Sequence, residues 1–223
     1  MITTIDIQTG DFDAHVDQAL QWIRSGLIIV APLENGYAFL ADAFDHDAVR
    51  AMHVLRNDPF GIVAQVLISS HEVIDGIARE VSESARLLMS TFWPGQLSFN
   101  LLPQRGLTWD LGDEKRLDLV SVRVPSADFV LALLRKSGPL AVGSATSVGR
   151  PPILDIRDIS VREYDLAGIF DSGVLASTSA STVISLSQSG VEVIREGAVN
   201  NDQLREIAPD IVVSSSANTK PRE

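Results

Sequence analysis

The feature that most constrains the fold is an alternation of two kinds of segment. Short β-branched apolar runs, such as Leu27-Ile28-Ile29-Val30 and Val63-Ala64-Gln65-Val66-Leu67-Ile68, are interleaved with segments whose apolar residues recur at helical spacing. Runs of the first kind read as buried strands, and strands separated by helices form a parallel or mixed sheet that helices cover. The pattern predicts an α/β domain with a twisted mixed parallel/antiparallel sheet flanked by helices. Strands are expected over 27–31, 62–68, 97–102, 119–124, 139–143, 181–186 and 191–195. Helices are expected over 45–55, where Val49, Met52 and Leu55 share a face, and over 73–92, where Val73, Ile77, Val81, Leu88 and Phe92 do. Segments 127–137 and 201–207 carry weaker helical patterns.

A chain of 223 residues, 45% of them hydrophobic, can bury one sizeable core. Residues 1–210 read as one domain, and 211–223 as a polar C-terminal tail expected to fray, because beyond Ile211-Val212-Val213 it has little to bury. The apolar runs fall far short of the ~20 residues that span a bilayer, so no membrane segment is expected. Met1-Ile2-Thr3-Thr4-Ile5-Asp6 lacks the basic start and apolar stretch of a secretory signal, which makes the cytoplasm the expected compartment. The absence of cysteine excludes disulfides, thiolate metal sites and cysteine nucleophiles. A net charge of -11 argues against a broad electropositive surface and so against strong direct RNA binding. Only three of the 18 basic residues are lysines, Lys115, Lys136 and Lys220. An anion site must therefore be built largely from arginine, which forks onto phosphate or carboxylate but forms no Schiff base.

Loops rich in Gly, Pro and Ser follow several strands: Pro32 to Gly36, Ser144 to Gly149 and Arg195 to Gly197. In open α/β sheets ligands settle outside the carboxyl ends of strands, so a cleft is expected where the Pro32, Ser144 and Arg195 loops meet. His46 and His53 lie seven residues apart on a helix, about 10.5 Å along its axis, too far to share a metal, and read as solvated. Asp42, Asp45 and Asp47 precede or open that helix and read as capping carboxylates rather than a Mg²⁺ site. No protein-built metal site is expected, and P-loop and dinucleotide-binding fingerprints are lacking.

Pro32-Leu33-Glu34-Asn35-Gly36-Tyr37, after the strand at 27–31, resembles the YrdC/YciO family signature Pro-Thr-Asp/Glu-Thr-Val-Tyr/Phe-Gly-Leu. Further blocks follow in family order. They are Ala41-Asp42-Ala43, Phe92-Trp93-Pro94-Gly95-Gln96-Leu97-Ser98 for the family's Trp-Pro-Gly-Pro-Leu-Thr, Val122-Arg123-Val124-Pro125, Gly138-Pro139-Leu140-Ala141, Ser144-Ala145-Thr146 with Gly149, Ser181-Thr182-Val183, and Ile194-Arg195-Glu196-Gly197-Ala198. A single block carries a substantial false-positive risk, but their joint order over roughly residues 20–200 is hard to obtain by chance.

The resemblance implies a concave cleft that in active members takes ATP, L-threonine and bicarbonate. Those members form threonylcarbamoyl-adenylate for tRNA threonylcarbamoyladenosine, as ATP-dependent nucleotidyltransferases of the L-threonylcarbamoyladenylate synthase type. It implies ATP as substrate or ligand with Mg²⁺ carried by the nucleotide, a small carboxylate as second ligand, and tRNA-modification proteins as partners. Carried over position by position, it places Ser144, Thr146, Ser181 and Arg195 at the nucleotide, and Pro32, Leu33, Tyr37, Arg56, Asp58 and Arg123 in the substrate cleft.

The chain departs from the family at several of these positions. Leu33 stands for the threonine after the proline, Thr146 for an asparagine, and Arg56-Asn57-Asp58-Pro59-Phe60-Gly61-Ile62 for a Lys-x-Arg-x-x-x-Lys segment. Asp58 in place of an arginine is expected to repel anions from the cleft and to neutralise Arg56 in part. Arg50, Arg79 and Arg150 are the further arginines that could compensate. Two functions stay open: a divergent synthase-like nucleotide-binding protein, or a catalytically impaired paralogue serving as a nucleotide- or RNA-binding regulatory module. Purely structural readings stand beside these. Arg123 and Arg195 could pair with acids, Ser144 and Ser181 could be turn residues, and Tyr37 could stack on a base or pack behind the cleft. Trp93-Pro94-Gly95 reads as a corner, and Ser216-Ala217-Asn218 as a chance echo of the Ser-Ala-Asn block.

Overall fold

The computed structural model describes residues 2–160, 166–187 and 190–213. In chain order the elements are β1 (Thr3–Asp6), α1 (Phe12–Arg24), β2 (Ile29–Leu33), β3 (Gly36–Asp42), α2 (His46–Leu55), β4 (Gln65–Leu67), α3 (Ile74–Ile77) and α4 (Glu83–Phe92). There follow β5 (Leu97–Leu101), β6 (Val120–Arg123), α5 (Asp128–Ser137), β7 (Leu140–Ser144), β8 (Gly168–Asp171), β9 (Thr182–Ser187), β10 (Gly190–Arg195), α6 (Asn201–Ile207) and β11 (Val212–Val213). The strands form one mixed sheet in the order β1-β8-β2-β3-β7-β4-β6-β5-β9-β10-β11. Among the described residues, no helix is long and apolar enough to cross a membrane.

Each strand expected from the apolar runs is present within a few residues, but the punctuation differs. Pro32 and Leu33 belong to β2, paired antiparallel with Tyr37 and Gly36 of β3, so the supposed loop is only the tip of a hairpin. The long helix expected over 73–92 is broken. Ala78 is extended and bridges Pro103, Arg79 N–H donates to Leu102 O at 3.0 Å, and Ser82 opens a new helix by accepting the Ala85 N–H. Backbone pairing to the segment after β5 outcompetes continuation of the helix there. The sheet also runs past 210: Ile211 is buried and Val212–Val213 pair in parallel with β10, because this short apolar run has a free strand edge beside it. Residues 214–223, including Ser216-Ala217-Asn218, lie outside the described residues.

Strand alternation divides the sheet into two faces with different fates. One face is largely apolar: Phe39, Val66, Phe99, Val120 and Val122 pack with Val49 and Met52 of α2, Leu88 and Met89 of α4, and Leu204 of α6. On the other face α1 and α5 cover only part of the sheet, where Ile29, Ala31, Leu40, Leu67 and Leu140 meet Val16, Ile23, Phe129 and Leu133. Beyond the edge of α5 the same face turns polar, with Gln65 on β4, Ser98 on β5, and Ser121 and Arg123 on β6. A strand face that no helix covers has to be polar or bind something.

The turn after β10 is fixed by a buried side chain. Thr182 Oγ1 donates to Val199 O at 2.5 Å and accepts from Gly197 N at 2.9 Å and Val199 N at 3.0 Å. Gly197 is required there, since a Cβ would lie 2.2 Å from Ala180 O. Thr182→Val keeps the shape and removes all three bonds. It should lower the unfolding free energy by about 1–3 kcal/mol, read from the urea midpoint, because buried backbone donors are left unsatisfied.

Candidate functional site

The uncovered polar face is the floor of a cavity of about 560 Å³. The hairpin tip at Leu33, Asn35 and Gly36, the end of β7 at Ser144, the segment Arg150 to Pro152, and residues 178–181 with Arg195 rise around it. The cleft expected outside the carboxyl ends of the strands thus lies largely on the sheet face. The Pro32, Ser144 and Arg195 segments do converge at its rim, although Pro32 itself is buried in β2 and does not line it.

The floor is a hydrogen-bonded set of which the motif blocks contained only Ser98. Gln65 Nε2 donates to Ser98 Oγ at 2.9 Å and to Ser121 Oγ at 3.1 Å. Each hydroxyl accepts from the amide and keeps its own hydrogen to donate elsewhere. The signal that could have found them is polar residues at period two inside strands that are otherwise apolar.

One wall is held by a buried ion pair. Arg123, 3% exposed in its side chain, meets Glu34 Oε2 at 3.0 Å and donates from Nη1 to Ser181 Oγ at 3.3 Å. Glu34 also accepts from Ser126 N at 2.5 Å and Ser126 Oγ at 3.0 Å. Burial pushes the Glu34 carboxyl up, but the Arg123 charge and the Ser126 bonds outweigh it and hold it below its ordinary value. Burial likewise presses Arg123 down while Glu34 presses back. Arg123 is therefore committed to the fold at the cleft floor and is not a free cation waiting for phosphate.

The other arginines differ in how far they are committed. Arg195 donates from Nε and Nη2 to Ser181 O at 3.2 and 2.8 Å, which fixes its plane and leaves Nη1 without a protein partner among the described residues. Arg150, of the three arginines considered for compensation, lines the cavity and makes no ion pair among the described residues. Arg79 pairs with Glu80, and Arg50 lines a separate hollow beside α2. Arg56 reaches the cavity from behind α2, its Nη1 donating to Ser144 O at 3.2 Å and its Nε to Asp58 Oδ2 at 2.9 Å.

Of the residues singled out in the sequence, the cavity brings together Leu33, Tyr37, Arg56, Arg123, Ser144, Ser181 and Arg195, while Pro32, Asp58 and Thr146 do not line it. Thr146 sits two residues beyond the rim at Ser144. Asp58 does not face the cleft as an anion-repelling charge. Its side chain is 1% exposed and turned to Arg56 and His53, because both donors lie on the protein side of the loop. His53 is accordingly not solvated, with Nδ1 2.8 Å from Asp58 Oδ2 and Nε2 2.9 Å from Leu111 O. Tyr37 is not available to stack on a base: it is buried, its hydroxyl lies 2.8 Å from Asp171 Oδ1 and 2.7 Å from Gly173 O, and it accepts Ser172 N–H. Burial of the phenol pushes its pKa up. Trp93 is architecture, with Nε1 donating to Leu97 O and its ring packed edge-on against Phe99. Asp45 caps α2 by accepting from Asp47 N and Ala48 N. Among the described residues no group of three or more His, Asp or Glu side chains is arranged to hold a metal ion.

Comparison with known proteins agrees with this architecture. The family model Sua5_yciO_yrdC, described as telomere recombination, matches residues 21–197. The chain belongs to this family. A relative from Mycobacterium tuberculosis is 32% identical over 186 residues, 83% of this chain and 85% of its own. The threonylcarbamoyl-AMP synthase of Stutzerimonas stutzeri is 30% identical over 188 residues, 82% of this chain and 97% of its own. Among solved structures, a variant of Sua5 from Pyrococcus abyssi is 25% identical with a TM-score of 0.88 over the whole of this chain, which spans 65% of that protein. YciO of Escherichia coli is 26% identical with a TM-score of 0.74, covering 91% of this chain and 96% of its own. The mixed sheet with flanking helices is thus the Sua5/YciO architecture, and the blocks that suggested the family fall inside the matched span or at its border.

The ion pair that shapes this family member's cleft wall has a measurable weight. Glu34→Ala would leave Arg123 buried without its counter-ion and should cost about 3–5 kcal/mol in urea unfolding. Glu34 has a folded pKa below its unfolded one, so its contribution is present above the unfolded value and lost as pH falls through the folded one. Stability of the wild type should fall with acid more steeply than that of Glu34→Ala through that window.

Proposed function

We propose that the chain binds ATP, with Mg²⁺ carried by the nucleotide, together with a small carboxylate in this cleft, as a divergent threonylcarbamoyl-AMP synthase-like protein with strongly reduced turnover. The observation that carries the reading is the convergence of Ser144, Ser181, Arg150 and Arg195 with Arg56 on one cavity, in a chain of this family. Arg195 is pre-oriented by Ser181 O, and the hydroxyls of Ser144 and Ser181 can donate to phosphate oxygens.

In adenylate formation a carbamate carboxylate attacks the α-phosphorus and pyrophosphate leaves. The nucleophile is already ionised, so the protein's tasks are alignment and charge stabilisation rather than proton abstraction. Arg195 and Arg150 would stabilise the charge on the phosphate chain. The Gln65, Ser98 and Ser121 set would hold the acid end through its free hydroxyl hydrogens. The product class is the adenylate used in tRNA threonylcarbamoyladenosine formation, passed to a partner in the cytoplasm. A net charge of -11 disfavours strong direct RNA binding by this chain.

A second reading, a binding or regulatory module without turnover, is favoured by one specific observation. Arg123 and Arg56 each face a carboxylate, Glu34 and Asp58, so two of the four cleft arginines have much of their charge compensated before a ligand arrives. Leu33 offers no hydroxyl at the rim.

Two measurements check this. Arg195→Ala should weaken ATP binding roughly ten- to a hundred-fold by calorimetry, the weight of a charge-assisted contact. Threonine- and bicarbonate-dependent pyrophosphate release should run about 10²-fold or more below that of the Stutzerimonas stutzeri synthase assayed beside it, since loss of even one preorganised charge contact has that size. Turnover within about tenfold, a barrier difference of ~1.4 kcal/mol, would reject the reduced-turnover claim.

A further inference from the structure

Arg56 enters the cleft in a way that depends on three residues, Gly143, Asp58 and His53. Its side chain packs against β7, where a Cβ on Gly143 would come within 2.2 Å of Nη1 and 2.9 Å of Cζ. The glycine at this point in the strand is what leaves room for the arginine. From the other side Asp58 Oδ2 accepts from Arg56 Nε at 2.9 Å and lies 2.8 Å from His53 Nδ1. His53 is itself fixed, its Nε2 2.9 Å from Leu111 O. The carboxylate is 1% exposed in its side chain and the histidine 14%. Arg56, 12% exposed, therefore has its Nε and Nη1 tied to protein acceptors, and its Nη2 has no protein partner among the described residues.

We propose that Asp58, backed by His53, is a positioning residue for the cleft. It turns Arg56 across Gly143 and holds the guanidinium where the anionic part of the ligand must sit. This rests on the reading of the cleft as a nucleotide site and adds to it a specific device. Where the family pattern carries two separate cations at positions 56 and 58, this chain carries one arginine fixed by a carboxylate. An arginine held in this way surrenders less side-chain entropy when it meets an anion than one that is free to rotate, which offsets part of the charge that Asp58 compensates. His53 keeps the carboxylate from rotating away, and its ring lies against the 110–115 segment, so the aim of Arg56 is referred to the protein body rather than to its own loop.

The test uses the full chain, with ATP and Mg²⁺ as the probe. In nitrogen-15 magnetic resonance the Arg56 Nε–H should give a distinct, slowly exchanging signal, kept in Asp58→Asn, whose amide oxygen can accept the same hydrogens, and lost in Asp58→Ala. Calorimetry should find ATP binding weakened about tenfold in Asp58→Ala and restored to within about threefold of the wild type in Asp58→Asn, the weight of one charge-assisted contact. Gly143→Ala, which displaces the guanidinium without touching the carboxylate, should weaken binding to a similar extent and keeps the test decisive if Asp58→Ala fails to fold. Unchanged affinity in Asp58→Ala or in Gly143→Ala, or an Nε–H that exchanges freely in the wild type, would overturn the positioning role alone. Absence of ATP binding by the wild type would overturn the nucleotide reading and, with it, the role given to Arg56.

Discussion

The pair of Glu34 and Arg123 is the interaction on which the rest of the site depends. β2, which ends beside Glu34, and β6, which carries Arg123, stand four positions apart in the sheet. In a flat sheet that separation would be about 19 Å. A 3.0 Å contact between the two side chains therefore requires the hairpin tip to come over the sheet face, and the space it encloses is the cleft. Ser126 and Thr178 fasten the same tip, through the Glu34 carboxylate and the Glu34 carbonyl respectively. A buried charge pair is a poor source of net stability, because desolvation consumes most of the attraction. Here its consequence is geometric: it fixes where a polar floor and a polar tip face each other.

The remainder of the cleft follows from incomplete coverage of one sheet face. α1 and α5 bury Ile29, Leu40, Leu67 and Leu140, and the strands past their edge present Gln65, Ser98, Ser121 and Arg123 instead. The opposite face, covered by α2, α4 and α6, supplies the larger core. The polar cavity lining is thus separated from the larger apolar core by the period-two alternation of the strands. The arginines divide in the same spirit. Arg123 is committed to Glu34, Arg56 is steered by Asp58, Arg195 is oriented by a backbone carbonyl, and Arg150 makes no ion pair among the described residues.

Much of this was legible in the sequence, and the parts that were not have identifiable causes. The β-branched runs located strands β2, β4 to β7, β9 and β10; β3, buried along nearly its whole length, went unread because Gly36-Tyr37-Ala38-Phe39-Leu40-Ala41-Asp42 contains no β-branched residue. α1 went unread although Asp11 caps it and Val16, Ala19 and Ile23 form its buried stripe, because its apolar residues are sparse and diluted by charge. The break between α3 and α4 was hidden, as it is caused by Ala78 and Arg79 pairing with residues 102 and 103, a contact that no local window contains. Motif order singled out Ser144, Ser181 and Arg195, which line one cavity. Sequence proximity of Asp58 to Arg56 anticipated their pairing, but it says nothing about whether the carboxylate turns to the cleft or to the protein behind it, and it turns to the protein. Tyr37 was ambiguous for the same reason until Asp171 and Gly173, far along the chain, supplied its partners.

The central claim is that the enclosed polar face is where a nucleotide binds. The most direct measurement is a crystal structure of the full chain soaked with ATP and Mg²⁺. The account predicts phosphate oxygens within hydrogen-bond distance of Arg195 and of the hydroxyls of Ser144 or Ser181, with Arg56 still bonded to Asp58. Nucleotide found instead in the hollow between α2 and the 110–115 segment, or a cleft that stays empty at saturating ATP, would contradict it.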